Sequence, residues 1–172
     1  MSKLKVFCFG FGQVAENFVN KLINEKKDFD LSITSRQETH QINFKNFKIN
    51  SFLFDSGKFD ESLITKLEEA NHILISIPPI NGKDIVSDFF STCVKQIKNC
   101  KWITYLSATS VYGDHKGNWV TEKSNTKPTS RNGNDRLKAE NEWKNLSSKI
   151  ELPLQIFRLA GIYSHKFNIL QR

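Results

Sequence analysis

The stretch Lys5-Val6-Phe7-Cys8-Phe9-Gly10-Phe11-Gly12-Gln13-Val14-Ala15-Glu16-Asn17-Phe18 decides the fold. Four apolar residues, Val6 to Phe9, read as a buried strand, and Gly10 and Gly12 mark a turn. From about Gln13 to Lys26, Val14, Phe18, Val19, Leu22 and Ile23 form one apolar stripe at helical spacing. Gly10 permits a tight turn out of the strand, Gly12 lacks the Cβ that would keep a phosphate from the backbone, and Ala15 is small enough for the helix to lie close to the strand. The unpaired N–H groups of the first helical turn, with the helix dipole, then receive negative charge. Glycine turns between strand and helix also arise for packing alone. Here the turn sits at the amino end directly after an apolar strand, which favours a pyrophosphate site formed by Gly10, Gly12, Gln13, Val14 and Ala15.

Outward from this turn, apolar runs predict strands at Leu31–Thr34, Phe52–Phe54, His72–Ile77, Trp102–Leu106 and Leu154–Leu159. Pro78-Pro79 ends the fourth strand, since proline cannot continue a ladder. Helical spacing predicts helices over Asp60–Glu69, over Asp84–Lys98 (burying Ile85, Phe89, Val94 and Ile97) and over Lys138–Leu146. The polar stretch between the second and third strands reads as a connection. Alternating strands and helices predict an α/β, doubly wound parallel sheet of Rossmann type, with about six strands in the order 3-2-1-4-5-6 and one domain over residues 1–172.

Ligands of such sheets bind at the carboxyl ends of the strands, which places Ser76, Ile77 and Pro78 along the cleft and Asp55 near an adenine ring. The end of the second strand, where an acid usually holds the adenosine ribose, carries Ser35-Arg36. A hydroxyl beside a guanidinium suits a 2′-phosphate that an acid would repel, so NADP is expected ahead of NAD. The other reading of Arg36 is a solvated loop arginine.

The chain has 172 residues, 38% of them hydrophobic, which suffices for one globular domain with a single core. No apolar run approaches the roughly 20 residues that span a bilayer, and the start lacks a secretory segment, so no membrane association and a cytoplasmic location are expected. Cys8, Cys93 and Cys100 are odd in number without C-x-x-C spacing and read as free thiols. His40, His72, His115 and His165 are scattered without ligand spacing, so no metal site is expected. The net charge of +7 comes from lysines interleaved with acids, a solvated surface that argues against nucleic acid as partner while suiting an anionic cofactor.

Beyond the fifth strand the chain reads Leu106-Ser107-Ala108-Thr109-Ser110-Val111-Tyr112-Gly113-Asp114, then Gly117-Asn118-Trp119-Val120-Thr121-Glu122, and after the sixth strand Arg158-Leu159-Ala160-Gly161-Ile162-Tyr163. With the glycine turn, these resemble the NAD-dependent epimerase/dehydratase family, the extended short-chain dehydrogenase/reductases, over essentially the whole chain. That resemblance implies a tyrosine that shuttles a proton, a lysine four residues later, and a Ser or Thr that orients the substrate oxygen. Lys138 matches the lysine, but Asn134 stands at the tyrosine position and an amide is no general acid. Ala108 stands at the Ser/Thr position, leaving Thr109 or Ser107 as substitutes, and Tyr112 belongs to the V-Y-G turn.

These departures point to an atypical extended subgroup with an arginine-rich, A-E-x-x-W helix, matched by Arg136, Ala139, Glu140 and Trp143, and with an N-x-L-x-R stretch matched by Asn168–Arg172. The resemblance implies NAD(P)-dependent hydride transfer on a nucleotide sugar or similar small hydroxylated substrate, with Thr109 and Lys138 nearest in role to catalytic residues. The alternative is a non-catalytic dinucleotide sensor or scaffold. The resemblance also implies that the C-terminal substrate lobe is largely missing, and that an apolar patch near residues 156–170 is exposed and invites association, including a homo-oligomer.

Overall fold

The apolar run at the amino end becomes the middle strand of a sheet. The computed structural model describes residues 3–93 and 97–163. In chain order these form β1 (Leu4–Phe9), α1 (Gln13–Asn24), β2 (Phe29–Ser35), β3 (His40–Phe44), β4 (Phe47–Asp55), β5 (Lys58–Phe59), α2 (Ser62–Glu69), β6 (His72–Ile75), α3 (Ile85–Cys93), β7 (Trp102–Ala108), a 3₁₀ turn (Thr109–Val111), α4 (Arg131–Ile150) and β8 (Leu154–Leu159). The sheet runs β3-β4-β2-β1-β6-β7-β8, with β5 paired to β4. From β4 to β8 every neighbouring pair is parallel, so the six strands expected from the sequence stand in the 3-2-1-4-5-6 order. The order reverses between β1 and β6, which opens a crevice at their carboxyl ends.

β1 is buried on both faces because successive side chains alternate across it. Phe7 and Phe9 face a core with Phe52, Phe54, Phe89, Phe90 and Trp143. Val6 and Cys8 face the other layer, against Ala15, Val19 and Leu22 of α1. The Phe9 ring lies 5.2 Å from that of Phe54 and 5.7 Å from that of Phe90, in tilted or edge-on contacts that favour aromatic pairs. Cys8 is fully enclosed, and burial pushes its thiol up to about 12.

The connection expected after β2 is instead a hairpin. His40-Gln41-Ile42-Asn43-Phe44 pairs antiparallel with β4, which begins at Phe47 rather than Phe52. Lys45 and Asn46 form its two-residue turn with φ of 47° and 69°, the left-handed pair that matches strand twist. Ile42 and Phe44 alternate onto the second core, which is why this polar-looking segment stays in the sheet.

Helix α4 starts at Arg131, seven residues before the expected start, because the Ser130 hydroxyl accepts the Gly133 N–H at 3.1 Å and caps it. Gly133 lowers helix propensity, yet a Cβ there would stand 2.6 Å from the Ser110 carbonyl, so close approach of α4 to the 3₁₀ turn requires it. Helix α3 starts at Ile85, with the Asp84 carboxylate accepting the N–H groups of Val86 and Ser87 at 3.0 and 2.9 Å. Lys98, its expected end, lies in a turn, and Val94 falls outside the described residues. β6 ends at Ile75, two residues earlier than expected.

Phe157, Ile162 and Tyr163 stand exposed at β8 and the segment after it, within the stretch read as an apolar patch. His165 and the Asn168–Arg172 motif lie outside the described residues. No described helix is long and apolar enough to cross a membrane.

Candidate functional site

The carboxyl ends of β1, β2, β4 and β6 open into a cleft of about 810 Å³. Eight residues singled out in the sequence line it: Gly10, Gly12, Ser35, Arg36, Asp55, Ser76, Ile77 and Pro78. Gly10 has φ +82°, and its N–H donates to Thr34 Oγ1 at 2.9 Å. A Cβ at Gly10 would stand 2.9 Å from Ser76 Oγ and 3.1 Å from Ile77 Cγ1, so the turn is wedged against the end of β6. Ser76 Oγ donates to the Phe9 carbonyl at 2.9 Å and closes the same joint.

Gly12 is the reverse case. Nothing lies within 4 Å of where its Cβ would be, so its missing side chain leaves free space at the mouth of α1. It occupies the N-cap position, and no side chain caps the helix there. The first-turn N–H groups therefore point at the cleft without an intrahelical partner.

At the other end, Ser35 Oγ accepts the Gln37 N–H at 3.3 Å, Arg36 is exposed, and Asp55 Oδ1 accepts a hydrogen bond from Ser56 Oγ at 3.0 Å. The hairpin adds wall residues that the sequence reading passed over, among them His40, Ile42 and Ser51. The signal for them was the polar-apolar alternation of residues 40–44.

A second compartment of about 330 Å³ shares Gly12 and Ser76 with the first and continues over the ends of β7 and β8. Gln13 and Val14 line it, together with Leu106, Ser107, Ala108, Arg136, Leu159, Ala160 and Ile162. Ala15 lines neither compartment and is fully buried between α1 and the sheet. Thr109 is exposed in the turn just beyond Ala108.

Lys138 is not brought to the cleft. Its ammonium donates to the Gly82 carbonyl at 2.8 Å and lies 3.9 Å from the Glu142 carboxylate. Asn134 spends its amide on the Ser130 carbonyl, at 2.9 Å. Two positions along a helix turn a side chain by about 200°, and Arg136 accordingly faces the cleft, with one guanidinium N–H donating to the Leu106 carbonyl at the end of β7.

The other residues of the helix motif belong to the core. Glu140 is 0% exposed, accepts from the Ser107 hydroxyl at 2.7 Å, and receives both ends of the Arg158 guanidinium at 2.9 and 2.7 Å. Burial raises the Glu140 carboxyl, but the hydrogen bonds from Arg158 and Ser107 and the charges of Arg158 and Lys144 outweigh it and hold the group below its ordinary value. The bond to Glu140 raises Arg158 in return. Arg158 also lies 4.8 Å over the Tyr112 ring, a cation–π contact that ties the V-Y-G turn to β8. Trp143 donates its indole N–H to Asp84 at 3.3 Å. Ser107, a candidate substrate-orienting hydroxyl, is thereby committed to the interior.

A doubly wound parallel sheet with a glycine turn and an open helix N-terminus at its switch point is the architecture of Rossmann-type nucleotide-binding proteins. Among solved structures the fold matches a functionally unknown conserved protein from Silicibacter pomeroyi DSS, 29% identical over 92% of this chain and 52% of that one, with a TM-score of 0.72. It also matches the UDP-glucuronic acid 4-epimerase of Bacillus cereus in complex with NAD (16% identity, 93% of this chain and 57% of that one, TM-score 0.73) and the UDP-N-acetylglucosamine 4-epimerase of Bacillus cereus (20%, 98% and 66%, TM-score 0.72). The fold is thus that of the nucleotide-sugar epimerases, and the chain spans about half the length of the first solved structures it matches. No family model and no curated protein matches the sequence.

Proposed function

We propose that this chain is an NAD(P)-binding protein of the epimerase/dehydratase type, an oxidoreductase or epimerase with NADP preferred to NAD, acting on a nucleotide sugar or a similar hydroxylated substrate. The observation that carries this reading is the free space at Gly12, beside uncapped N–H groups at the mouth of a cleft of about 810 Å³. A cradle that a Cβ would fill fits a pyrophosphate.

Gly10, Gly12, Gln13 and Val14 would hold that group, with Ala15 setting the helix-to-strand distance. Arg36 and Ser35 would take the 2′-phosphate, Asp55 the adenine end, and Ser76, Ile77 and Pro78 the wall against β6. When bound, the dinucleotide supplies a nicotinamide ring that gives or takes hydride. Thr109, exposed in the turn after β7, would be the hydroxyl that orients a substrate oxygen, and Lys138 would support α4 from outside the cleft. The structural relatives named above include one in complex with NAD. Arg36, and the absence of an acid at the end of β2, is what favours the phosphorylated form here.

Titration of the protein with NADPH and NADH, followed by nicotinamide fluorescence, tests this reading. Both are expected to bind, NADPH the tighter. Arg36→Asp is expected to weaken NADPH by about tenfold or more while leaving NADH nearly unchanged, since it removes a charge-assisted bond and adds repulsion. Equal losses for both would remove Arg36 from the site, and absence of binding by either would overturn the dinucleotide reading.

A further inference from the structure

Arg136 is the motif residue that neither the core nor the proposed cofactor site uses. Its guanidinium is half-buried and lines the compartment of about 330 Å³ beyond the mouth of α1. One N–H goes to the Leu106 carbonyl, which leaves most of the five donors of an arginine free. No acidic residue is among those lining the compartment, and among the described residues Arg136 forms no ion pair; its other polar neighbour is the Tyr105 hydroxyl, which sits beside Asp84 on the core side. A partly dehydrated cation is costly unless an anion completes it. The neighbouring motif residues show the contrast, because Arg158 of β8 is fully answered by Glu140 of α4.

We propose that Arg136 binds a carboxylate of the substrate, which makes the substrate an acid, such as a sugar acid or hydroxy acid. A planar guanidinium matches a carboxylate bidentately and stays charged at all working pH, so it fixes and polarises the group without exchanging a proton. Its anchor on the Leu106 carbonyl holds the fork at the end of β7, next to Ala108 and the exposed Thr109. The assignment rests on the dinucleotide reading to the extent that the cofactor, held at Gly12, Gln13, Val14 and Ser76 on one side of this compartment, leaves its Arg136 end, over β7 and β8, to the substrate. The shared chemistry is an oxyanion, whose alternative source is a phosphate of the cofactor itself.

Calorimetric titration of the full chain with oxalate and with inorganic phosphate, with and without NADPH, decides between these. Oxalate is expected to bind the parent protein, to bind Arg136→Gln about tenfold or more weakly, and to bind the NADPH-loaded protein as well as the free one. Arg136→Lys keeps the charge without the fork and is expected to recover part of the affinity; it also stands in should the Gln variant fail to fold. Lys149→Gln, an exposed change in the last turn of α4, is expected to have no effect. Equal oxalate affinity in the parent and Arg136→Gln, preference for phosphate over oxalate, or displacement of oxalate by NADPH would each overturn the proposal. Failure of NADPH to bind, alongside Arg136-dependent oxalate binding, would instead remove the dinucleotide reading and leave the anion site standing.

Discussion

Glu140→Ala is expected to destabilise the folded chain by about 3–5 kcal/mol, the usual cost of breaking a buried ion pair by removing one partner. Glu140 is fully enclosed and Arg158 is 15% exposed, so the guanidinium left behind cannot recover its hydration. Ser107 loses its acceptor in the same step, and the joint between β7, α4 and β8 loses its common centre. Urea denaturation would read this as a lower midpoint with an unchanged slope. A loss under about 1 kcal/mol, as at an exposed pair, would show that the network does not hold the layers together.

The pH dependence has a definite sign. The folded-state value of Glu140 lies below the ordinary 4.5, so its contribution is complete above that value and is lost as pH falls through the lower folded-state one. The parent should therefore lose stability on acidification over that window, and Glu140→Ala should lack that part of the loss.

Gly12→Val is expected to weaken NADPH binding by about a hundredfold or more, the equivalent of two charge-assisted hydrogen bonds. The fold should be retained, with a loss of about 1 kcal/mol for valine in place of glycine at an N-cap, which is what makes the variant informative. Gly12 has φ −91° and ψ −172°, an extended conformation open to valine, and nothing within 4 Å would meet the new side chain. At Gly10 the same change would strain a left-handed residue and strike Ser76 and Ile77, confusing folding with binding. A melting temperature near the parent's with lost NADPH fluorescence would separate the two. Unchanged affinity would remove the glycine turn from the site.

The parallel core was legible because β1, β6 and β7 are buried on both faces and write themselves as continuous apolar runs. The hairpin strand β3 is half-buried, and its alternating Ile42 and Phe44 are separated by polar residues that read as loop until the Lys45-Asn46 turn is recognised. The start of α4 was hidden because Gly133 and Asn134 depress helix propensity, while the Ser130 cap and the contact with Ser110 outweigh it.

The cleft divides along the same line. Residues at strand ends follow from topology, so Gly10, Gly12, Arg36, Asp55 and Ser76 fall where the order of elements puts them. Residues on α4 depend on helical phase, which spacing alone does not anchor. An offset of two positions exchanges Lys138, which reaches Gly82, for Arg136, which reaches the cleft.

Cys8 sits two residues before the glycine turn, in the strand that carries the mouth of the cleft. Its sulfur is sealed, and with a thiol near 12 it is almost wholly uncharged at neutral pH, so alkylating reagents have no thiolate to attack while the sheet is closed. Cys93 and Cys100 are only partly covered. Once those two are replaced, labelling of Cys8 becomes a clock for the opening of the central strand, and its slowing by a ligand would weigh that ligand's grip on the closed state.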